Sequence, residues 1–269
     1  MIISRLIGGL GNQLFQYSIA RHIAEIHKTS LLIDLSEFDS YKLHKYALFP
    51  FNITGTLVED KNMNELSLFK EKHFHFDSDF KNYPDNIILK GYWQSEKYFT
   101  DIAAIIRREI TWKNLEMGKD KELLEQIDLH NSVSLHIRRG DYVSNTYDDQ
   151  ILISSELSFY YQCVEYISQK VTLPHFYIFS DDPIWAKENL KLNQPTIYVN
   201  HNDTSKNYED LRLMSRCKHN IICNSSFSWW GAWLNKNPNK IICAPRQWFS
   251  QNTKNINPKD LLPSSWVKI

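Results

Sequence analysis

Short apolar runs alternate with helix-spaced apolar positions along nearly the whole chain. The first run covers residues 2–7. After it Phe15, Ile19, Ile23 and Ile26 recur at intervals of four, four and three, the spacing of one helix face. Residues 31–34 and 86–90 read as further strands, and 98–110 as a helix. In the second half, strands predicted at 133–137, 175–179, 196–199, 220–223 and 240–243 interleave with helices at 156–169, 183–190, 208–217 and 227–234. Such alternation predicts parallel sheets with helices on both faces. The polar stretch 116–131 is the expected junction between two Rossmann-like halves facing a cleft, one spanning 1–130 and the other 131–269. The polar loop 200–207 is expected to move.

Composition narrows the class. Of 269 residues, 42% are hydrophobic and 23% charged, enough apolar mass for a substantial core in ordinary proportions. Thirty-one basic side chains balance thirty-one acidic ones. Bulk charge therefore does not point to nucleic acid, and any positive field has to be local. Cys163, Cys217, Cys223 and Cys243 lie in apolar settings with neither a disulfide nor a zinc spacing, and read as buried free thiols. No stretch reaches the roughly 20 apolar residues that span a bilayer, and the N-terminus lacks a signal-peptide pattern. The expectation is a cytoplasmic protein without a transmembrane segment, with peripheral association at the inner membrane face left open.

The densest chemistry is His136-Ile137-Arg138-Arg139-Gly140-Asp141. Side chains alternate along a strand, so this run carries fixed positive charge to a C-terminal strand edge, where open parallel sheets bind ligands. Arginine stays charged and grips phosphate oxygens with paired donors; a solvated charge cluster is the plainer alternative. Gly8-Gly9-Leu10-Gly11-Asn12-Gln13 joins the first strand to the first helix, a geometry that presents helix-start N–H groups to a phosphate or sugar. Asn12 is its expected N-cap. The spacing is neither the dinucleotide fingerprint nor a P-loop, and a simple tight turn explains it as well. Asn224-Ser225-Ser226 opens another helix with hydroxyl donors offered to an anion. Trp229, Trp230 and Trp233 follow, at least two of them expected to pack helix on sheet. Asp77-Ser78-Asp79 and His73-Phe74-His75 have metal-like spacings without a convincing third ligand and read as loop residues.

These three segments, with Gly91-Tyr92-Trp93-Gln94-Ser95-Glu96 and Phe179-Ser180-Asp181-Asp182 between them, resemble the bacterial α-1,2-fucosyltransferases of glycosyltransferase family 11. The matches run in order from residue 3 to about 235; the segment between Asp39 and Asn86 carries none. The resemblance implies a GT-B-like fold, the first domain on the acceptor side and the second binding GDP-fucose. It implies inverting transfer of L-fucose from GDP-β-L-fucose to the 2-hydroxyl of a terminal β-galactoside, on a free or lipid-linked oligosaccharide or glycolipid. Another linkage or acceptor is the alternative among enzymes. Outside them the alternative is a non-catalytic carbohydrate-binding protein, with eight Trp and fourteen Tyr to stack on sugar rings.

Arg138 matches the first arginine of the family motif and is expected on the diphosphate. With Asp141, expected chiefly to hold it, Arg138 makes up the catalytic set. Gly9, Gly11, Asn12, His136, Arg139, Asp210, Asn224, Ser225 and Ser226 are the expected donor-binding residues, with a structural place equally open for Arg139. Asp210 is expected to accept from N1 and N2 of guanine, the alternative being a helix-start acid stabilised by the macrodipole. Asp181 and Asp182 read as caps for the helix that Pro183 opens. No residue stands out as general base; Asp141 and Glu156 are the candidates. Ahead of Tyr160-Tyr161, where many relatives carry a His-Gly pair, stand Asp149-Gln150-Ile151-Leu152. No cofactor or metal is expected, GDP-fucose being a co-substrate.

Overall fold

A computed structural model describes residues 1–58, 66–139, 156–250, 253 and 256–269. The chain divides into two compact units, Met1–Leu115 with Ile256–Pro263, and Glu116–Asn255 with Ser264–Ile269. Each is built on a parallel sheet, as the alternation predicts.

In the first unit β1 (Ile2–Arg5), β2 (Leu31–Asp34), β3 (Thr56–Leu57), β4 (Ser67–Lys70) and β5 (Ile87–Lys90) lie in the order β3-β2-β1-β5-β4, every pair parallel. Helix α1 (Leu10–His27) buries Phe15, Ile19 and Ile23, three of the four side chains whose spacing foretold it, together with Leu14, while Ile26 is exposed. Strands β3 and β4 escape the sequence pattern because they are short and mostly exposed, so no apolar alternation marks them. The helix predicted at 98–110 is broken into 3-10 turns followed by α2 (Ala103–Glu109).

The second unit orders β6 (Asn131–Ile137), β7 (Pro174–Ser180), β8 (Thr196–Val199), β9 (His219–Ile221), β10 (Ile242–Ala244) and β11 (Val267–Lys268) as β11-β10-β9-β6-β7-β8, again all parallel. Helices α3 (Lys119–Leu129), α4 (Leu157–Ser168), α5 (Pro183–Asn189), α6 (Asn207–Arg216) and α7 (Ser226–Leu234) connect them. The stretch expected as an irregular junction is therefore helical. Its narrow apolar stripe, Leu123, Leu124 and Ile127, packs with Leu213, Met214 and Cys217, which ties it to the second unit and moves the division from 130 to 115. A second crossing was not legible locally: Ser95 Oγ donates to the Asp260 carbonyl at 2.6 Å and Lys97 Nζ pairs with its carboxylate at 2.6 Å.

Tryptophan packing follows expectation and exceeds it. Trp229 and Trp230 are fully buried and Trp233 nearly so. Between them Gly231 faces α6, where a Cβ would lie 3.1 Å from Met214 Cβ. Truncating one such indole costs about 3–5 kcal/mol. All four cysteines are buried and free. Among the described residues no helix is long and apolar enough to cross a membrane.

Register decides what the second sheet presents. Ile137 pairs with Ser180, Phe179 with Val199, and Leu135 with Ile221. The chain segments that leave β6, β7, β8 and β9 therefore emerge along one C-terminal edge, roughly 4.8 Å apart per strand.

The turn after β1 has its own constraint. Gly8 has φ +83°, and a Cβ there would lie 2.7 Å from Asn12 Nδ2. Gly8→Ala is expected to destabilise the chain by about 1–3 kcal/mol, seen as a lowered thermal midpoint; an unchanged midpoint would mean that the turn relaxes at no cost.

Candidate active site at the strand edges

Arg138 follows β6 and Asp181 follows β7. Arg138 Nε lies 3.2 Å from Asp181 Oδ2, and Asp181 Oδ1 accepts the Arg139 backbone N–H at 2.9 Å. One carboxylate thus fixes a guanidinium and the main chain beside it. Of the two acids read as caps, Asp182 is the N-cap of α5, accepting from the Trp185 N–H at 3.1 Å. Asp181 thus holds Arg138, a role the sequence did not assign to it. Gly140, Asp141 and the stretch 149–152 lie outside the described residues.

Arg139 takes the structural alternative. Its guanidinium carbon sits 3.7 Å from the centre of the Trp185 ring, with Nε 3.7 Å from Asp182 Oδ2. Alternation directs it toward α5, and these contacts are those of the structural alternative. His136 packs as a buried brace. It is 4% exposed, its Nδ1 lies 3.1 Å from Cys223 Sγ, and its ring meets Phe227. Burial, helped by the Arg138 charge, pushes its pKa down to about 3. Burial pushes the Cys223 thiol up to about 12. A neutral pair therefore braces β6 against the chain leaving β9.

That chain becomes the serine turn. The Asn224 amide is buried and donates to the carbonyls of Gln247 at 2.9 Å and Trp248 at 2.6 Å, so its side chain secures a neighbouring loop. Ser225 is the N-cap residue of α7 but makes no side-chain capping bond. Ser225 and Ser226 are partly exposed, where the first-turn N–H groups of a helix lack intrahelical partners.

Asp210 occupies the first turn of α6, on the loop side of β8. Asn202 Nδ2 donates to its Oδ1 at 2.9 Å. Burial first, then the charges of Asp120 and Glu209, push its pKa up to about 7, against the Asn202 hydrogen bond and His201.

The glycine motif lies in the first unit. Gly9, not Asn12, is the N-cap residue of α1; Gly11 is buried in its first turn. Asn12 sits inside the helix, its Oδ1 accepting from Gln94 Nε2 at 2.8 Å, because the turn closes three residues earlier than expected. Gln13 Nε2 donates to the carbonyls of Gly8 and Lys45. Gln16 accepts from the Ile7 N–H and donates to the Gly91 carbonyl. The turn and the Gly91–Gln94 segment are thereby stitched together by α1. Glu71, its pKa raised by burial, accepts the N–H groups of Tyr92 and Trp93.

The metal-like spacings are accounted for locally. Asp77 caps the 3-10 turn Ser78–Asn82, and His73 Nδ1 bonds the His75 carbonyl at 2.8 Å. Among the described residues no group of three or more His, Cys, Asp or Glu converges as a metal-binding set.

Residues 3–269 match the profile of Glycosyl transferase family 11. The chain belongs to that family. It is 34% identical to an Escherichia coli protein named alpha-1,2-colitosyltransferase, over 100% of this chain and 99% of that one. It is 32% identical to the Escherichia coli O-antigen biosynthesis glycosyltransferase WbnK, over 99% of each. Bovine galactoside alpha-(1,2)-fucosyltransferase 2 is 21% identical over 85% of this chain and 67% of its own length. A structure of mutant Arabidopsis thaliana FUT1 in complex with GDP superposes with a TM-score of 0.53 at 12% identity, covering 99% of this chain and 75% of that one. The fold is accordingly the GT-B-like α/β class, with two Rossmann-like parallel-sheet units.

In this family 11 chain the arginine and serine segments are legible in the sequence, and the residues that hold them are not. The signal for Asp181 was present as an acid ending a strand, but its partner depends on strand order. Gln13 and Gln16 read as ordinary helix residues, and Asn202 as loop.

Because the folded pKa of His136 lies far below the ordinary imidazole value, the unfolded chain binds the extra proton. This contribution is complete above about pH 6.5 and is lost as pH falls toward 3. The His136 ring is expected to show no titration by NMR between about pH 5 and 8. A midpoint near 6.5 would mean that the buried pair is open to water.

Proposed function

We propose that this glycosyltransferase moves L-fucose from GDP-β-L-fucose to the 2-hydroxyl of a terminal β-galactoside, forming an α-1,2 linkage with inversion. The observation that carries the reading is the Arg138–Asp181 clamp beside the serine turn on one strand edge. A guanidinium held there meets charge developing on a leaving diphosphate without reorganising. The acceptor oxygen bonds to C1 of fucose as the C1–oxygen bond to the β-phosphate breaks, GDP leaves, and the acceptor hydroxyl gives up its proton. Ser225, Ser226 and the first N–H groups of α7 offer further donors to the diphosphate. Asp210, past β8, accepts from the N1 and N2 hydrogens of guanine. The segments leaving β6 and β8 are two strand spacings apart, roughly 10 Å, a span that suits a diphosphate at one and a base at the other. No divalent ion or cofactor is assigned a part.

A second reading concerns the donor sugar. Colitose is fucose without its 3-hydroxyl, and the relative at 34% identity bears the name of a colitosyltransferase. GDP-colitose is therefore the competing donor for the same machinery.

Incubation with GDP-fucose or GDP-colitose and lactose, with NMR of the product, tests both readings. A 2-linked fucosyl product supports the first; a product from GDP-colitose alone supports the second; a 3-linked product overturns the linkage. Activity is expected to survive excess EDTA. Loss restored by Mg²⁺ or Mn²⁺ would shift charge neutralisation from arginine to a metal.

Arg138→Lys keeps the charge and removes the planar two-pronged donor. Turnover is expected to fall about a hundredfold or more, roughly 2.7 kcal/mol of transition-state stabilisation, mainly in kcat. Near-normal kcat in a folded variant would remove Arg138 from the reaction.

A further inference from the structure

We propose that Asp120 and Asn202 are positioning residues for base recognition: they orient the Asp210 carboxylate and set the pH below which it loses its hold on guanine. The inference rests on reading Asp210 as the guanine acceptor, and extends it to two residues on separate elements.

Three segments converge on this acid. Asn202, in the loop after β8, places one amide nitrogen 2.9 Å from Asp210 Oδ1 and 2.9 Å from Asp120 Oδ1. The amide has two hydrogens, so a single side chain spans two carboxylates. Asp120 lies in the first turn of α3, and its Oδ1 also meets His201 Nε2 at 2.8 Å. Guanine offers parallel N1–H and N2–H donors, which need both oxygens of a carboxylate in one plane. A donor fixed on Oδ1 restricts the rotation of that plane.

The same contacts work against each other electrostatically. The Asp120 charge disfavours a second charge on Asp210, and the Asn202 hydrogen bond favours it. The other charges acting on Asp210 are Glu209 on α6 and His201 in the loop, and Arg212 on α6, Lys206 just before it and Glu116 before α3 act in turn on Glu209. Arg212 is engaged by Glu209 at 3.0 Å and Glu116 at 2.9 Å. Removing Asp120's charge and removing Asn202's donor should therefore move the titration of Asp210 in opposite directions. A residue with only a packing role would alter stability or affinity without that opposition.

The experiment is calorimetric binding of GDP-fucose, without acceptor, to the full chain between about pH 5.5 and 8.5. Its diphosphate diester does not titrate in this range, so a pH midpoint belongs to the protein. Wild-type affinity should fall by up to about tenfold per pH unit below about 7, the slope of one required deprotonation. Asp120→Asn retains an oxygen for His201 and Asn202 while losing charge, and should shift the midpoint to lower pH. Asn202→Ala should shift it to higher pH and weaken binding above it. Asp210→Asn is the control, expected to bind weakly with no such midpoint. If Asp210→Asn behaves so while the other two folded variants keep the wild-type midpoint, the positioning roles are overturned and the Asp210 reading stands. If Asp210→Asn binds as wild type does, both are overturned.

Discussion

An acid at the end of one strand holds a guanidinium at the end of its neighbour, and the C-terminal edge of the second sheet is organised around that contact. The Arg138–Asp181 pair is partly exposed, so its contribution to stability is of the small order usual for such pairs. Its importance is orientation. A long arginine side chain loses about 1.5–2 kcal/mol of rotamer freedom when fixed, and a carboxylate that fixes it beforehand removes that cost from the binding of any anion there. The contact exists because β6 and β7 run parallel with Ile137 opposite Ser180. A one-residue slip would exchange the faces of Arg138 and Arg139, and direct the first toward Trp185.

Around this charged pair the supporting contacts are neutral. His136 and Cys223 carry no charge at working pH, and Asn224 spends its amide on main-chain carbonyls. Buried neutral groups that satisfy one another avoid the several kcal/mol that an uncompensated ion would cost. Asp210 is the contrast: an acid pushed toward neutrality by burial and by like-charged neighbours, at the far end of the same edge. A fixed cation at one end and a titratable acid at the other suit a ligand with an anionic part and a hydrogen-bond-donating part.

The glycine motif of the first unit illustrates how one residue pattern can serve geometry before chemistry. Gly8 is required by its positive φ and by Asn12, and Gly91 by Glu71, whose Cβ would meet an added methyl at 2.4 Å. Buried Gln13 and Gln16 then satisfy the exposed backbone groups of the turn and of the segment after β5. A buried polar side chain with all its partners made specifies one arrangement of loops; one left unsatisfied would cost about 1–3 kcal/mol.

Local sequence determined the elements whose apolar pattern repeats within a few residues: α1, the central strands β1, β2, β6 and β7, and the helices α4 to α7. It also determined which segments bear arginine, serine and glycine at strand ends. Backbone geometry makes such periodicity readable without knowledge of distant residues. Tertiary structure alone decided that α3 belongs to the second unit, that residues 256–263 return to the first, and that β3, β4 and β11 complete the sheets. It alone assigned Asp181 to Arg138, Arg139 to Trp185, His136 to Cys223 and Asn202 to two acids. These pairings join residues brought together by strand order and register, and charge or hydrogen-bonding capacity in a sequence does not name its partner. Exposure was decided there too, because a neutral buried histidine and a solvent-facing one are spelled by the same residue.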